Sequence, residues 1–534
     1  MHDDSNYDWT IEQNLRRLLE KAVDKYPDKE LLTIEDEGTY SFAEFKKEVD
    51  RIADVLNSLG IKKGDLVGVM LPNILLFPVT TYACFTIGAV MIPINITYRS
   101  EDARYVLNYS ELTTLVTTDQ LYSDTIAPIM ESCQHLKQVL VTGDPGDNNP
   151  TVLSLKELVK AVPPEPPTLE IQATDLATIL FTSGTTGYPK GCMHDQTYWF
   201  YLAKKVVNYA GLTDQDILLT AQPFYYMDPQ WNMVACLMSG AKLILMKRFS
   251  PTRFWEHLIN YKVTWCNAIM ANLLHKTMPP DIKEKHSLRL MACTIIPTTL
   301  HQDLEEKTGV VWRANFGMTE TGCDLMVPIE ADHLVGSGCI GRAVWGREVR
   351  VVDEDDKDVA PGKVGEMLLR GKGIMQGYYK NQEATAEAFR GGWFHTGDLV
   401  TMDKDGWVYF KGRKKDMVRR SGENISTLEV ENVLVSHPKV KEAAVLAVPD
   451  DVRGEEVKAY IIPSDGESVE TIPPQKLAEY CAERLAPFKL PRYYEYVDDM
   501  PRTSASEKVE KYKLKEQKED LRLGSYDRVD KIWR

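Results

Sequence analysis

The chain has 534 residues, 43% hydrophobic and 26% charged, with a formal net charge of -15. That length exceeds what one hydrophobic core can serve, so two or more domains are expected. The acidic balance gives phosphates no long-range attraction, so no nucleic-acid partner and no anionic membrane patch is expected without a local basic cluster.

In chain order, Ser41 followed by Glu44 predicts a capped helix running to Leu59, and Leu66 to Leu71 reads as a buried strand. The apolar stretch Leu75 to Ile96 is interrupted by Pro78, Thr80, Thr81 and Pro93. It predicts a buried helix and strand, with no transmembrane segment. Thr114 to Thr117, Val139 to Val141 and Thr178 to Phe181 are short apolar runs that each end at a turn, and their alternation with helices implies stacked, largely parallel α/β sheets. Pro163 to Pro167 is a stiff linker by composition. From Glu348 the texture changes to short strands and turns, and after Arg413 to a compact α+β pattern with a Lys/Glu-rich tail. The natural cut gives domains 1–412 and 413–534. Nine cysteines without a CxxC pair and a polar, acidic N-terminus from Met1 to Tyr7 point to a reducing cytoplasm.

The densest chemical signal is Thr182-Ser183-Gly184-Thr185-Thr186-Gly187-Tyr188-Pro189-Lys190. Small residues after an apolar strand let backbone amides converge on an anion, and the hydroxyls with Lys190 add donors and one positive charge. It is not a Walker A loop, because Gly184 and Gly187 stand too close and Lys190 follows Pro189. Taken alone the string supports only polyphosphate binding.

The string resembles the TSGTTGxPKG signature of the adenylate-forming superfamily: acyl-CoA synthetases, adenylation domains and firefly-type luciferases. Other motifs follow in order along essentially the whole chain. Asn315-Phe316-Gly317-Met318-Thr319-Glu320 is similar to YGxTE. The resemblance implies that Phe316 stacks on adenine, Thr319 contacts phosphate and Glu320 helps hold Mg2+. Trp393 to Asp398 resembles GWxxTGD and makes Asp398 the ribose candidate, since an ionised carboxylate accepts from two hydroxyls. Arg413 would reach ribose or phosphate, and Lys415 falls at the family's hinge. Ser421, Gly422 and Glu423 begin a GENIS-like loop that, by resemblance, lines the pantetheine tunnel. Pro501 to Val509 is similar to the segment carrying the adenylation lysine. Lys508 is the match there, although Glu507 replaces a glycine and the segment is one residue longer; Lys511 is the fallback, and a charged surface helix is the plain alternative.

The resemblance further implies a fold of α/β and α+β parts. A large N-terminal domain of stacked sheets with a small β-barrel-like subdomain is followed by a small mobile C-terminal domain, rotating about Lys415. It also implies use of ATP, Mg2+ and coenzyme A in two half-reactions. A thiol on a carrier protein, a medium-chain fatty acid, a luciferase-like oxygenation and a catalytically dead binding protein are the rival readings. No motif specifies an oligomeric state, and self-association stays open.

The acyl pocket should lie at two unusual segments. Tyr225, Tyr226, Asp228 and Trp231 fall where the family has a PLFH-like stretch, with Tyr226 at its histidine, and Thr294-Ile295-Ile296 replaces a glycine-rich floor. A bulky floor shortens the pocket. Aromatic faces beside a carboxylate suit a quaternary ammonium, with Asp228 as counter-ion; the same aromatics could simply pack the following helix. With Phe254 and Trp255, the pattern looks like the crotonobetaine/carnitine-CoA ligase branch.

Overall fold

The computed structural model describes residues 14–144, 149–163, 169–182, 189–268, 270–294, 296–414, 417–420, 423–450, 452–485, 487–502 and 509–534. Packing divides the chain into two compact units, Met1–Glu348 with Arg370–Phe389, and Val349–Leu369 with Arg390–Arg534.

The first unit holds two sheets. One runs in the order Gly377–Tyr378, Lys190–Asp195, Leu176–Thr182, Val90–Pro93, Leu66–Met70, Thr114–Thr117, Gln138–Val141 and Val152–Ser154. Its pairings are parallel from Leu176–Thr182 onward and antiparallel on the Lys190–Asp195 side. Strands covered by helices on both faces need continuous apolar runs, and Val67, Val69, Leu115, Val139 and Ile179 are completely buried. The helix Phe42–Ser58 begins with the expected capping box between Ser41 and Glu44. Leu76–Ile87 is a helix buried on nearly every side and leads to the strand Val90–Pro93. Thr81 and Thr86 donate to the carbonyls of Phe77 and Tyr82, so their hydroxyls are satisfied inside the core. No helix among the described residues is long and apolar enough to cross a membrane.

The second sheet of this unit contains parallel strands Lys242–Leu245, Ile217–Thr220, Trp265–Ala268, Leu290–Cys293 and Val311–Met318. It turns antiparallel at Gly322–Met326 and Cys339–Ala343. That change of direction makes a hairpin whose tip is Thr319–Thr321, at the carboxyl end of a parallel strand. Open α/β sheets bind ligands at such ends.

In the second unit, Val364–Gly371, Phe394–Met402 and Val408–Arg413 form an antiparallel set. A further sheet is built on the long hairpin Val440–Asp450 with Gly454–Pro463, joined by Tyr493–Tyr496 in parallel and covered by the helices Thr427–Val435 and Pro474–Ala482. Arg492 bridges Asp450 and Asp527, and Arg534 pairs with Asp527 at 2.7 Å, which fastens the last hairpin, Tyr526–Asp527 with Ile532–Trp533.

Candidate active site

Leu176–Thr182 runs antiparallel to Lys190–Asp195 with Thr182 opposite Lys190, so the glycine-rich string is the connection of a hairpin. Ser183, Gly184, Thr185, Thr186 and Gly187 lie outside the described residues, as do Ile295, Lys415, Ser421, Gly422 and Lys508; Glu423 opens the strand Glu423–Ser426. At the loop's exit the Lys190 ammonium sits 5.0 Å from the centre of the Tyr378 ring, and the Tyr378 hydroxyl donates to Glu320 Oε1 at 3.2 Å. Burial, then the neighbouring Glu320 charge, pushes the Tyr378 hydroxyl up, so it keeps its proton and stays a donor.

The turn carrying Thr319 and Glu320 is pinned from outside. Thr319 O accepts from Tyr198 Oη at 2.9 Å and His194 Nε2 at 2.7 Å. Glu320 O accepts from the Met375 amide at 2.8 Å, and Thr321 O accepts from Arg347 Nη2 at 2.6 Å. Arg347 and Asp324 form a fully buried ion pair at 2.7 Å, and the Thr321 hydroxyl also donates to Asp324. Three successive carbonyls thus have fixed partners, leaving little reorganisation for substrate binding to drive.

Gly317 lies at a register shift in this hairpin. A Cβ there would stand 2.0 Å from Gly322 O and 3.1 Å from its carbonyl carbon, both backbone atoms. Gly317→Ala should therefore spread the hairpin, at a cost of about 1–3 kcal/mol in stability. It should also remove ATP–pyrophosphate exchange by moving Phe316 and Thr319. Thermal unfolding and exchange rates check this, and full exchange at an unchanged Tm would show that the hairpin yields without harm.

Beside the turn is a cavity of about 220 Å³, lined by Phe316, Gly317, Thr319 and Asn315 on one side and by Tyr225, Tyr226, Asp228, Trp231 and Thr294 on the other. It is smaller than the roughly 300–1,000 Å³ usual for drug-sized ligands. Tyr225 and Tyr226 have ring centres 4.6 Å apart, and Trp231 meets Trp265 edge to face at 5.7 Å. Asp228 is 5% exposed. Its Oδ2 accepts from Thr220 Oγ1 at 2.8 Å and Asn232 Nδ2 at 3.2 Å, and its Oδ1 from Asn267 Nδ2 at 3.0 Å. Asn267 Oδ1 in turn accepts from Asn315 Nδ2 at 3.0 Å. All these donors are neutral, and no cationic side chain among the described residues forms an ion pair with Asp228. Burial pushes the carboxyl up to about 6, with Asn267 and Thr220 pulling the other way.

In the second unit, Asp398 and Arg413 stand opposite each other on adjacent strands and pair at 3.1 Å. Asp398 is 1% exposed and its amide donates to Thr396 Oγ1. Glu366 Oε1 accepts from the Gly397 amide at 3.1 Å and Glu366 Oε2 from Lys414 at 3.0 Å, which holds the turn before Asp398.

The AMP-binding enzyme family model matches residues 19–379, and the AMP-binding enzyme C-terminal domain model matches residues 429–507. The chain belongs to the AMP-binding, adenylate-forming enzyme family and is an acid–thiol ligase of the acyl-CoA synthetase type. Within it, the chain is 30% identical over 515 residues to a crotonobetaine/carnitine–CoA ligase of Escherichia coli O7:K1, covering 93% of this chain and 98% of the relative. Among solved structures it is similar to an anthranilate CoA ligase in complex with anthranoyl-AMP, with a TM-score of 0.85 and 25% identity over 94% of this chain and 97% of that one. It is also similar to ATP-bound MatB from Rhodopseudomonas palustris, with a TM-score of 0.85 and 28% identity over 95% and 99%.

The predicted pocket residues Tyr225, Tyr226, Asp228, Trp231 and Thr294 thus share one cavity with Asn315, Phe316 and Thr319. Phe254 and Trp255 do not line it: both are buried in the helix Pro251–Asn260, and Trp255 donates to Leu274 O. Sequence reading missed Asn267, which binds Asp228, and Tyr378, which binds Glu320. Neither sits in a motif, and each is 39 or more positions from its partner. Cys192, beside the loop, is buried, and all nine cysteines are unbridged and buried.

Proposed function

We propose that this chain adenylates a small carboxylic acid carrying a cationic group, a quaternary ammonium above all, and passes the acyl group to coenzyme A. The observation that supports the cationic acid is Asp228, a buried carboxylate in the acyl cavity with neutral donors around it and aromatic rings beside it. A buried charge without a counter-ion is costly, and a bound cation would relieve that cost. The crotonobetaine/carnitine–CoA ligase similarity agrees with this chemistry.

In the first half-reaction the acid's carboxylate oxygen attacks the α-phosphorus of ATP, and the bond to pyrophosphate breaks. In the second, the thiol sulfur of coenzyme A attacks the acyl carbon, and AMP leaves with the bonding electrons. Thr182 to Gly187 and Lys190 would cradle the phosphates, Phe316 would face adenine, Thr319 would contact phosphate, and Asp398 with Arg413 would take the ribose. Glu320 offers a hard carboxylate oxygen beside the phosphate loop. A single carboxylate of that kind is the donor magnesium takes, since the ion keeps waters and binds through one or two carboxylates with substrate phosphates. When bound, magnesium would neutralise phosphate charge. Lys508 would do the same at the reacting carboxylate, and the small domain 413–534, turning near Lys415, would bring Ser421 to Glu423 to the pantetheine path.

Pyrophosphate exchange measured across trimethylammonium acids, their neutral tert-butyl isosteres and medium-chain fatty acids tests the proposal. Exchange should be fastest with the cationic member of each pair. Preference for the isostere would sink the cationic reading, and preference for fatty acids would install the medium-chain alternative. Transfer to free coenzyme A against a phosphopantetheinylated carrier protein decides the acceptor.

A further inference from the structure

A one-directional chain of hydrogen bonds runs from the helix Gln196–Ala210, through the two strands that flank the phosphate loop, to the turn holding Glu320. The Trp199 indole can only donate, so its Nε1–H, 3.3 Å from Thr178 Oγ1, gives its proton to that oxygen. The Thr178 hydroxyl proton is then free to point at His194 Nδ1, 3.4 Å away. Nδ1 is thereby the bare nitrogen, and the ring proton sits on Nε2, which faces Thr319 O at 2.7 Å. A carbonyl only accepts, so the far end of the chain demands the same polarity. Burial holds the imidazole neutral, with its pKa down to about 3. Tyr198 stacks on His194, ring centres 3.9 Å apart, and donates to the same carbonyl oxygen at 2.9 Å. Thr178, His194 and Tyr198 are 0% exposed and Trp199 is 1%.

We propose that His194 and Tyr198 are positioning residues for adenylation: their two donors on Thr319 O lock the Thr319–Glu320 turn to the strand Lys190–Asp195, which leaves the phosphate loop, and to the helix Gln196–Ala210 that follows it. The proposal rests on reading Thr319 and Glu320 as phosphate and magnesium contacts. Packing alone does not explain the arrangement, since apolar side chains of similar shape fill a core as well as a satisfied polar pair does. What the chain adds is direction. It fixes one carbonyl, and with it the peptide plane leading into Glu320, to the elements on which Thr182 and Lys190 sit, so the two sides of a polyphosphate site keep a set separation.

The test uses the full chain with His194→Leu, Tyr198→Phe, the double variant and His194→Gln, whose amide returns an N–H near the position of Nε2. Calorimetric titration of ATP at a series of free magnesium concentrations is the primary measurement, with adenosine as the control ligand and Tm recorded alongside. Each single variant should raise the half-saturating magnesium concentration and the ATP Kd several-fold, and the double variant by about tenfold or more. Adenosine, which reaches neither Thr319 nor magnesium, should bind as before, and His194→Gln should recover most of the loss. Tyr198→Phe keeps the ring and its packing, so it reports even if His194→Leu folds poorly. An unchanged magnesium and ATP dependence at a lowered Tm, or His194→Gln behaving like His194→Leu, would overturn the proposal. Glu320→Gln separates the two layers: if it leaves the magnesium dependence unmoved, the reading of the turn fails and the proposal falls with it.

Discussion

Asp228→Asn is expected to lower kcat/KM for a quaternary-ammonium acid by about two to three orders of magnitude. The neutral tert-butyl isostere should change little. Asparagine keeps the shape and can keep the hydrogen bonds. Its amide would face Asn267, and a flip of Asn267 and then Asn315 would restore donors to acceptors along that chain. Only the charge is removed, so the loss measures the ion pair.

The pH profile gives an independent reading of the same group. The free Asp228 carboxyl, pushed up to about 6 by burial, loses its charge as pH falls through that value. The quaternary ammonium does not titrate, and Tyr225, Tyr226, Thr220, Asn232, Asn267 and Trp231, which face the site, carry no charge there. kcat/KM for the cationic acid should therefore rise with pH through about 6 and then level, and this limb should vanish in Asp228→Asn. Stability moves the other way. A carboxyl whose folded pKa lies above its unfolded value binds more protons when folded, so the protein loses stability as pH rises from about 4 to about 6 and carries the full penalty above that. The difference corresponds to about 3 kcal/mol. Asp228→Asn should thus unfold at the same or a higher temperature at pH 8, while losing its substrate. A lowered Tm would mean that Asp228 stabilises the fold, and the counter-ion reading would lose its basis.

The contrast between Asp228 and Asn267 shows what a sequence can disclose. The βα alternation, the Ser41 capping box and the buried stretch from Leu75 to Ile96 are local, because periodicity and caps are decided within one or two turns of chain. The motifs around Thr182, Phe316 and Asp398 stand out in sequence because their residues are closely spaced. Asn267 and Tyr378 become significant only through contacts across strands. A lone asparagine at the end of an apolar strand looks like a turn residue until the strand Val311–Met318, two places over in the sheet, brings the Asn315 side chain to it. His194 is hidden in the same way. Its role depends on which nitrogen carries the proton, and that is set by Thr178 on the paired strand. Phe254 and Trp255, which contributed only to the branch resemblance in sequence, are both buried in the helix Pro251–Asn260.

Lys508→Ala is expected to reduce pyrophosphate exchange by about two to three orders of magnitude, the scale seen when one donor to a developing charge is removed. Lys508 lies outside the described residues, whereas its rival is held in place by defined contacts. Lys511 is the other lysine near the end of the motif, and it is engaged elsewhere: its ammonium lies 2.6 Å from Glu431 Oε1 and donates to Thr427 Oγ1 at 2.9 Å. Glu431 Oε1 also accepts from the Val445 amide at 2.6 Å. These contacts tie the helix Lys511–Glu516 to the helix Thr427–Val435 and the strand Val440–Asp450. A lysine so held would have to abandon a carboxylate to reach a substrate. Lys511→Ala should therefore lower Tm and leave exchange within a few-fold of its starting rate. Supplying a synthetic acyl adenylate separates the half-reactions. Lys508→Ala should then still transfer the acyl group to coenzyme A, because the mixed anhydride whose formation the lysine assists has already been made. If Lys511→Ala loses exchange as severely as Lys508→Ala while its Tm holds, the catalytic lysine is Lys511, and the extra residue in the motif has shifted the register.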